Sequence, residues 1–278
     1  MLYRGFDKAA LDAAYNNTMA VGPGRRDRYI ADWAKRTAAL VERTAARTDL
    51  RYGAAPRQRI DFFPCATAGA PTLLFIHGGY WQFSDKENYG FLAAGPLAHA
   101  INVALVEYTL APANRMDGIV QEIRTAIAWL VAHLGELGAA TDGIYLAGHS
   151  AGGHLTAMAI TEPGIKGALP ISGLFDLEPI RLGALNDPLG MNQAEAERNS
   201  PLLHIPAEAP PMTLAVGGDE LPELRRQSAD YHAAWIGRGL RGRHLLIAGC
   251  DHFSILEEFA APEGRLTAAL VELVAAAG

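Results

Sequence analysis

The chain is poor in cysteine, in clustered basic residues and in long apolar stretches. Two cysteines in 278 residues, Cys65 and Cys250, with nothing else marking an oxidising compartment, are expected to be free thiols. No apolar run approaches the roughly 18 residues that a membrane-crossing helix needs. The start, Met1-Leu2-Tyr3-Arg4-Gly5-Phe6-Asp7-Lys8, lacks the basic-then-apolar order of a secretory signal. A soluble cytoplasmic protein without a membrane partner is the expectation. Net charge is −6, and Arg25-Arg26-Asp27-Arg28 and Arg225-Arg226 read as solvated helix faces, so nucleic acid is not expected as a partner. The nine histidines show no ligand spacing such as H-E-x-x-H, so no metal is expected, and no cofactor.

What the chain has is apolar residues, half of the total, in short runs punctuated by glycine and proline. That content and length suit one large domain spanning residues 1–278. Strand-like runs lie at Arg59–Phe63, Thr72–Ile76, Ile101–Val106, Ile144–Ala147, Ala168–Ile171, Met212–Val216 and His244–Ala248. Helical spacing separates them: Ile119, Val120, Ile123, Ile127, Leu130, Val131 and Leu134 share one face, as do Leu224, Ser228, Tyr231 and Trp235. Strands alternating with helices predict an α/β fold, a mostly parallel central sheet with helices on both faces. Residues 7–47 read as helical, with Asp7 as a cap, making residues 1–50 an N-terminal helical extension. The segment 175–205, interrupted by Pro179, Pro188 and Pro201, is too long for an ordinary connection and predicts a small partial cap.

The apolar run Ile144-Tyr145-Leu146-Ala147 leads into Gly148-His149-Ser150-Ala151-Gly152 and then into the helix-like His154–Met158. Strand, sharp turn and helix with a serine at the apex resemble the nucleophile elbow of α/β-hydrolases. Serine needs a base, and the base needs an acid to fix its tautomer. In this chain order the base follows the last strand, which selects His252 in Cys250-Asp251-His252-Phe253. His149 beside the serine is expected to point away from the reacting face, and His154 to pack near the oxyanion loop. The acid is expected after Met212–Val216, where Asp219 and Glu220 are adjacent; spacing alone leaves both open, the other one facing solvent or capping the next helix. Oxyanion donors are expected from Ala151 and from Gly78, Gly79 and Tyr80 in His77-Gly78-Gly79-Tyr80-Trp81. The aromatic pair Tyr80 and Trp81 suggests contact with a flat or apolar substrate, with packing of Trp81 into the core as the open alternative. Cys250 reads as a small apolar residue near a strand end.

Taken together, these segments resemble the kynurenine formamidase (arylformamidase) branch of the α/β-hydrolases, in its bacterial form. The likeness rests on HGGYW at 77–81, Asp85-Lys86, Tyr108-Thr109-Leu110-Ala111-Pro112, Gly148–Leu155, Ser172–Pro179, Glu223–Ser228 and Asp251-His252-Phe253, and extends to Tyr15-Asn16-Asn17. It implies Glu220 as the acid, two residues before the proline that opens the next helix, and hence a triad of Ser150, Glu220 and His252. Leu224 departs from the aromatic residue usual there. The implied activity is hydrolysis of N-formylkynurenine to kynurenine and formate. Carboxylesterase or N-acyl aromatic amine hydrolase activity on the same machinery is the alternative, and a catalytically silent receptor a further one. The partner expected is a small aromatic amide or ester; a homodimer is left open.

Overall fold

The computed structural model describes residues 1–277. Among them eight strands form one sheet: β1 (Arg47–Arg51), β2 (Arg59–Phe63), β3 (Thr72–Ile76), β4 (Asn102–Val106), β5 (Ile144–His149), β6 (Ile165–Ile171), β7 (Met212–Gly217) and β8 (Gly242–Ile247). Their order is β1-β2-β4-β3-β5-β6-β7-β8. β2 pairs antiparallel with β1 and β4, and every other pairing is parallel. This is the mostly parallel sheet that the alternating pattern predicts, in the α/β-hydrolase architecture that the resemblance implies.

The sheet is covered on both faces because its central strands are apolar on both. Leu74 and Ile76 of β3, with Ala104 and Val106 of β4, pack into one core with the helices Met116–His133, Ala151–Ala159 and Pro222–Gly237. The intervening Leu73, Phe75, Val103 and Leu105 pack into a second core with Trp33, Leu40, Leu266 and Leu270 from helices Pro23–Arg43 and Arg265–Ala277. Alternate residues of one strand thus face opposite layers, the reason such strands read as unbroken apolar runs.

Two sequence readings are revised. The N-terminal helical segment divides into Lys8–Ala14, Asn17–Val21 and Pro23–Arg43, with Asn16 capping the second through its side chain and Pro23 opening the third. Asp7 does cap the first, accepting from the Ala10 amide at 2.8 Å. β1 had no counterpart in the apolar pattern: Arg47-Thr48-Asp49-Leu50-Arg51 is an edge strand with one half-buried residue. The stretch 175–205 holds the short helices Glu178–Leu182, Asn186–Leu189 and Gln193–Arg198. Among the described residues no helix is long and apolar enough to cross a membrane.

β4 and β5 lie on opposite sides of β3, so the connections leaving β3 and β5 diverge at the carboxyl ends of these strands. A crevice opens at such a switch point. Both glycine-rich segments of the sequence end there.

Candidate active site

Ser150 follows β5 with φ 57° and ψ −118°, a conformation that non-glycine residues rarely hold. The surroundings enforce it. A Cβ on Gly152 would run into the carbonyl of Ile76 on β3, so only glycine lets the helix leave the turn this close to the sheet. His154 donates its backbone N–H to the Ser150 carbonyl at 3.1 Å, beginning the helix. The Ala151 amide, in the first turn, has no intrahelical acceptor and stays available.

The segment after β3 turns sharply: Gly79, Tyr80 and Trp81 have φ of 113°, 51° and 60°. Gln82 and Phe83 both donate to the Gly79 carbonyl, closing a tight turn. The amides of Gly79 and Tyr80 find no acceptor among the described residues. Gly78 is there for closeness, since a Cβ would lie 2.8 Å from the His149 carbonyl and 3.0 Å from Ser150 Cβ. Behind this turn Glu107, fully buried, accepts from Arg57 (2.7 Å), His77 Nε2 (3.1 Å) and the amides of Tyr108 and Lys86 (both 3.0 Å). Burial would raise its pKa, but His77, Arg57 and the Lys86 amide together hold it down at about 2. The network ties the start of the glycine turn to the end of β4. Asp85, Glu87 and Glu107 bring three carboxylate oxygens together. With Glu107 committed to Arg57 and His77, the group is a poor cation cage.

His252 lies beyond β8, and its Nδ1 is 2.6 Å from Glu220 Oε2. A carboxylate only accepts, so Nδ1 carries the proton and Nε2 of the neutral ring is left as acceptor. The other oxygen of Glu220 accepts from the Gly217 amide at 2.7 Å and from the Ser172 hydroxyl. Asp219 is exposed and its neighbour Glu220 buried. Nor does Asp219 cap the helix that follows, which starts at Pro222 without a side-chain cap.

His149 departs from the sequence reading. It does not turn away: its ring packs on that of His252 with centroids 4.5 Å apart, and its Nε2–H donates to the His252 carbonyl at 2.8 Å. Burial, reinforced by the adjacent His252, holds its pKa well below the usual imidazole range. Trp81 is also revised as a substrate contact. It is fully buried, edge-on to His154 at 5.0 Å, because the left-handed backbone at 80 and 81 turns its side chain into the core. His154 sits against the glycine turn through Trp81, with burial lowering its pKa to about 4. Both cysteines are free, and burial pushes the Cys250 thiol up.

Ser150, His149, His252, Gly79 and Tyr80 open into one cavity of about 790 Å³. Its far wall comes from Tyr15, Asn17, Arg26 and Trp33 of the N-terminal helices and from Leu185 and Pro188 of the 175–205 segment. Sequence reasoning expected a partial cap at 175–205, the segment that supplies Leu185 and Pro188, and placed Tyr15 and Asn17 within the resemblance, but it did not place Tyr15, Asn17, Arg26 or Trp33 in a cavity wall. It also missed Ser172, whose signal is its place just past the end of β6 in a left-handed turn (φ 52°).

The chain is 34% identical to the kynurenine formamidase of Danio rerio over 246 residues, 83% of each protein. The kynurenine formamidase of Salmo salar matches at 34% over 240 residues, 80% of each. The chain belongs to the kynurenine formamidase family. It is a hydrolase of the formamidase or esterase kind. The BD-FAE family profile matches residues 62–167, which span β3, the glycine turn and the serine turn. A crystal structure of a candidate thioesterase from Silicibacter sp. TM1040 superposes with TM-score 0.85 at 32% identity, covering 94% of this chain and 98% of that one. An esterase from Pyrobaculum calidifontis, 20% identical with TM-score 0.71 over 89% of this chain and 93% of its own, shares the fold.

Proposed function

We propose that the protein hydrolyses an aryl formamide, N-formylkynurenine, to kynurenine and formate through Ser150, His252 and Glu220. The observation that carries this reading is the Nδ1–H of His252 donated to Glu220 at 2.6 Å beside a cavity that His252 shares with Ser150. His252 Nε2 takes the Ser150 proton as Oγ adds to the formyl carbon. The developing oxyanion is received by the amides of Gly79, Tyr80 and Ala151, which have no other acceptor among the described residues. His252 then returns the proton to the aryl nitrogen, the amine leaves, and water, deprotonated by His252, releases formate from the formyl-enzyme. Glu220 holds the imidazole in the required tautomer and stabilises its charged form. Residues 1–50 and 175–205 belong, in this reading, to the one domain 1–278 and close the cavity around the aryl group.

The test is turnover of N-formylkynurenine beside p-nitrophenyl acetate, with Ser150→Ala as the blank for both. A kcat/KM of about 10⁴ M⁻¹s⁻¹ or more on the formamide, lost in the variant, is the expected result. Cleavage of the ester alone would keep the triad and overturn the substrate, moving the assignment to esters or thioesters, the class named for the Silicibacter structure.

A further inference from the structure

Asn17 is 3% exposed, and its Oδ1 has no hydrogen-bond donor. An amide oxygen buried without a partner costs about 1–3 kcal/mol, so a chain that keeps one has a use for it. The orientation of the side chain is fixed by its neighbours. Tyr80 spends its single hydroxyl proton on the Tyr15 carbonyl at 2.5 Å, so that hydroxyl can only accept from Asn17, and the group 3.1 Å away is Nδ2. Oδ1 is thereby kept as the free acceptor.

Its position says what could complete it. Asn17 and His252 are the two residues shared by the walls of the large cavity and of a smaller one, about 200 Å³, that lies against Glu220, Arg25 and Asp251. Asn17 therefore shares both cavity walls with the imidazole that handles the reacting group, and it is bonded to Tyr80 of the oxyanion turn.

We propose that Asn17 Oδ1 accepts the N–H of the scissile amide and so makes the site selective for amides over esters; this rests on the triad reading above. In the amide the nitrogen lone pair is conjugated with the carbonyl. When Ser150 Oγ adds to that carbon, the nitrogen pyramidalises, and its lone pair must face His252 to receive the proton. Holding its N–H on Asn17 turns the lone pair toward the imidazole. The new N–H bond forms with the proton from His252, the C–N bond breaks, and the amine leaves with both hydrogens while the acyl group stays on Ser150. An ester oxygen has no hydrogen to offer Asn17, and its lone pairs meet another oxygen there.

The experiment compares formanilide with phenyl formate, spontaneous hydrolysis subtracted, in wild type, Asn17→Ala, Asn17→Asp and Ser150→Ala. The expected result is that Asn17→Ala lowers the amide-to-ester ratio of kcat/KM at least tenfold. Asn17→Asp, which keeps an acceptor while losing the Tyr80 contact, should keep the ratio within about threefold of wild type. Equal loss on both substrates in Asn17→Ala would show Asn17 to be only a prop for Tyr80 and would overturn the proposal, leaving the triad intact. If Asn17→Ala does not fold, Asn17→Asp decides by its ratio. No formanilide turnover by wild type would overturn both this inference and the formamide reading, while a Ser150-dependent ester reaction would still support the triad.

Discussion

His149 donates its Nε2–H to the carbonyl oxygen of His252 across 2.8 Å and lies against that imidazole with ring centroids 4.5 Å apart. The residue next to the serine therefore braces the main chain that carries the proposed base. Serine turn and histidine loop leave different strands, and this contact fixes their spacing.

His149→Phe keeps a ring against His252 but removes the donor. The expected outcome is a fall in kcat of about 3- to 10-fold, the size of one lost hydrogen bond, with KM little changed. Steady-state kinetics on p-nitrophenyl acetate measures it; an unchanged kcat would show that the tilted ring contact alone holds the loop.

Glu220→Gln should lower kcat about 10³- to 10⁴-fold, because an amide cannot stabilise the imidazolium and can select the wrong tautomer. Asp219→Asn should stay within about twofold of wild type, since Asp219 is exposed and Glu220 carries the contact to His252. The opposite pattern would transfer the acid role to Asp219.

Gly78→Ala introduces a Cβ 2.8 Å from the His149 carbonyl and 3.0 Å from Ser150 Cβ. The glycine turn must move away from the serine, and displacements near 1 Å cost about 10²-fold in rate. Turnover should fall by about that factor while thermal unfolding shifts by only a few degrees. A loss of fold instead would make Gly78 a stability residue.

Acid should destabilise the protein in two steps. Burial lowers His154 from 6.5 to about 4, so between these values the unfolded chain holds a proton that the folded one refuses, and stability falls as pH drops from 6.5 to about 4. His149, lowered further by burial, adds in the same direction. Glu107 runs from 4.5 down to about 2: its contribution is whole above 4.5 and is lost as pH falls through 2. In His154→Phe the slope of unfolding free energy between pH 6.5 and 4, worth up to about 3 kcal/mol for this group, should flatten. Denaturant titrations at pH 7, 5.5 and 4 check this; an unaltered slope would place the effect elsewhere.

The parts of the fold and site legible in the sequence are those where local pattern and tertiary role coincide. β3 through β7 are covered on both faces, so their apolar runs announce them, and the serine turn needs small neighbours that appear as Gly148 and Gly152 in the sequence itself. β1 was illegible because an edge strand of Arg47, Asp49 and Arg51 buries almost nothing. β8 starts at Gly242, ahead of the apolar residues that signal it, because only Ile247 at its far end is fully buried. His149 went astray and Trp81 stayed undecided for one reason: a residue in or beside a left-handed turn does not keep the side-chain direction its neighbours suggest. Asn17 acquires its place only through Tyr80, 63 residues on.

Tyr15, which receives the Tyr80 hydroxyl on its carbonyl, has its own hydroxyl bonded to Glu223 and Gln227, partners 208 and 212 residues further along. Closing a loop of that length is among the slower steps open to a chain. The wall of the cavity formed by the first helices is thus anchored in two stages, to Tyr80 and Phe91 early in the chain and to Glu223 and Gln227 only after about four-fifths of it. During synthesis the first helices can therefore meet the glycine turn before the helix at Pro222 exists, and only the hydroxyl of Tyr15 waits for the later partners.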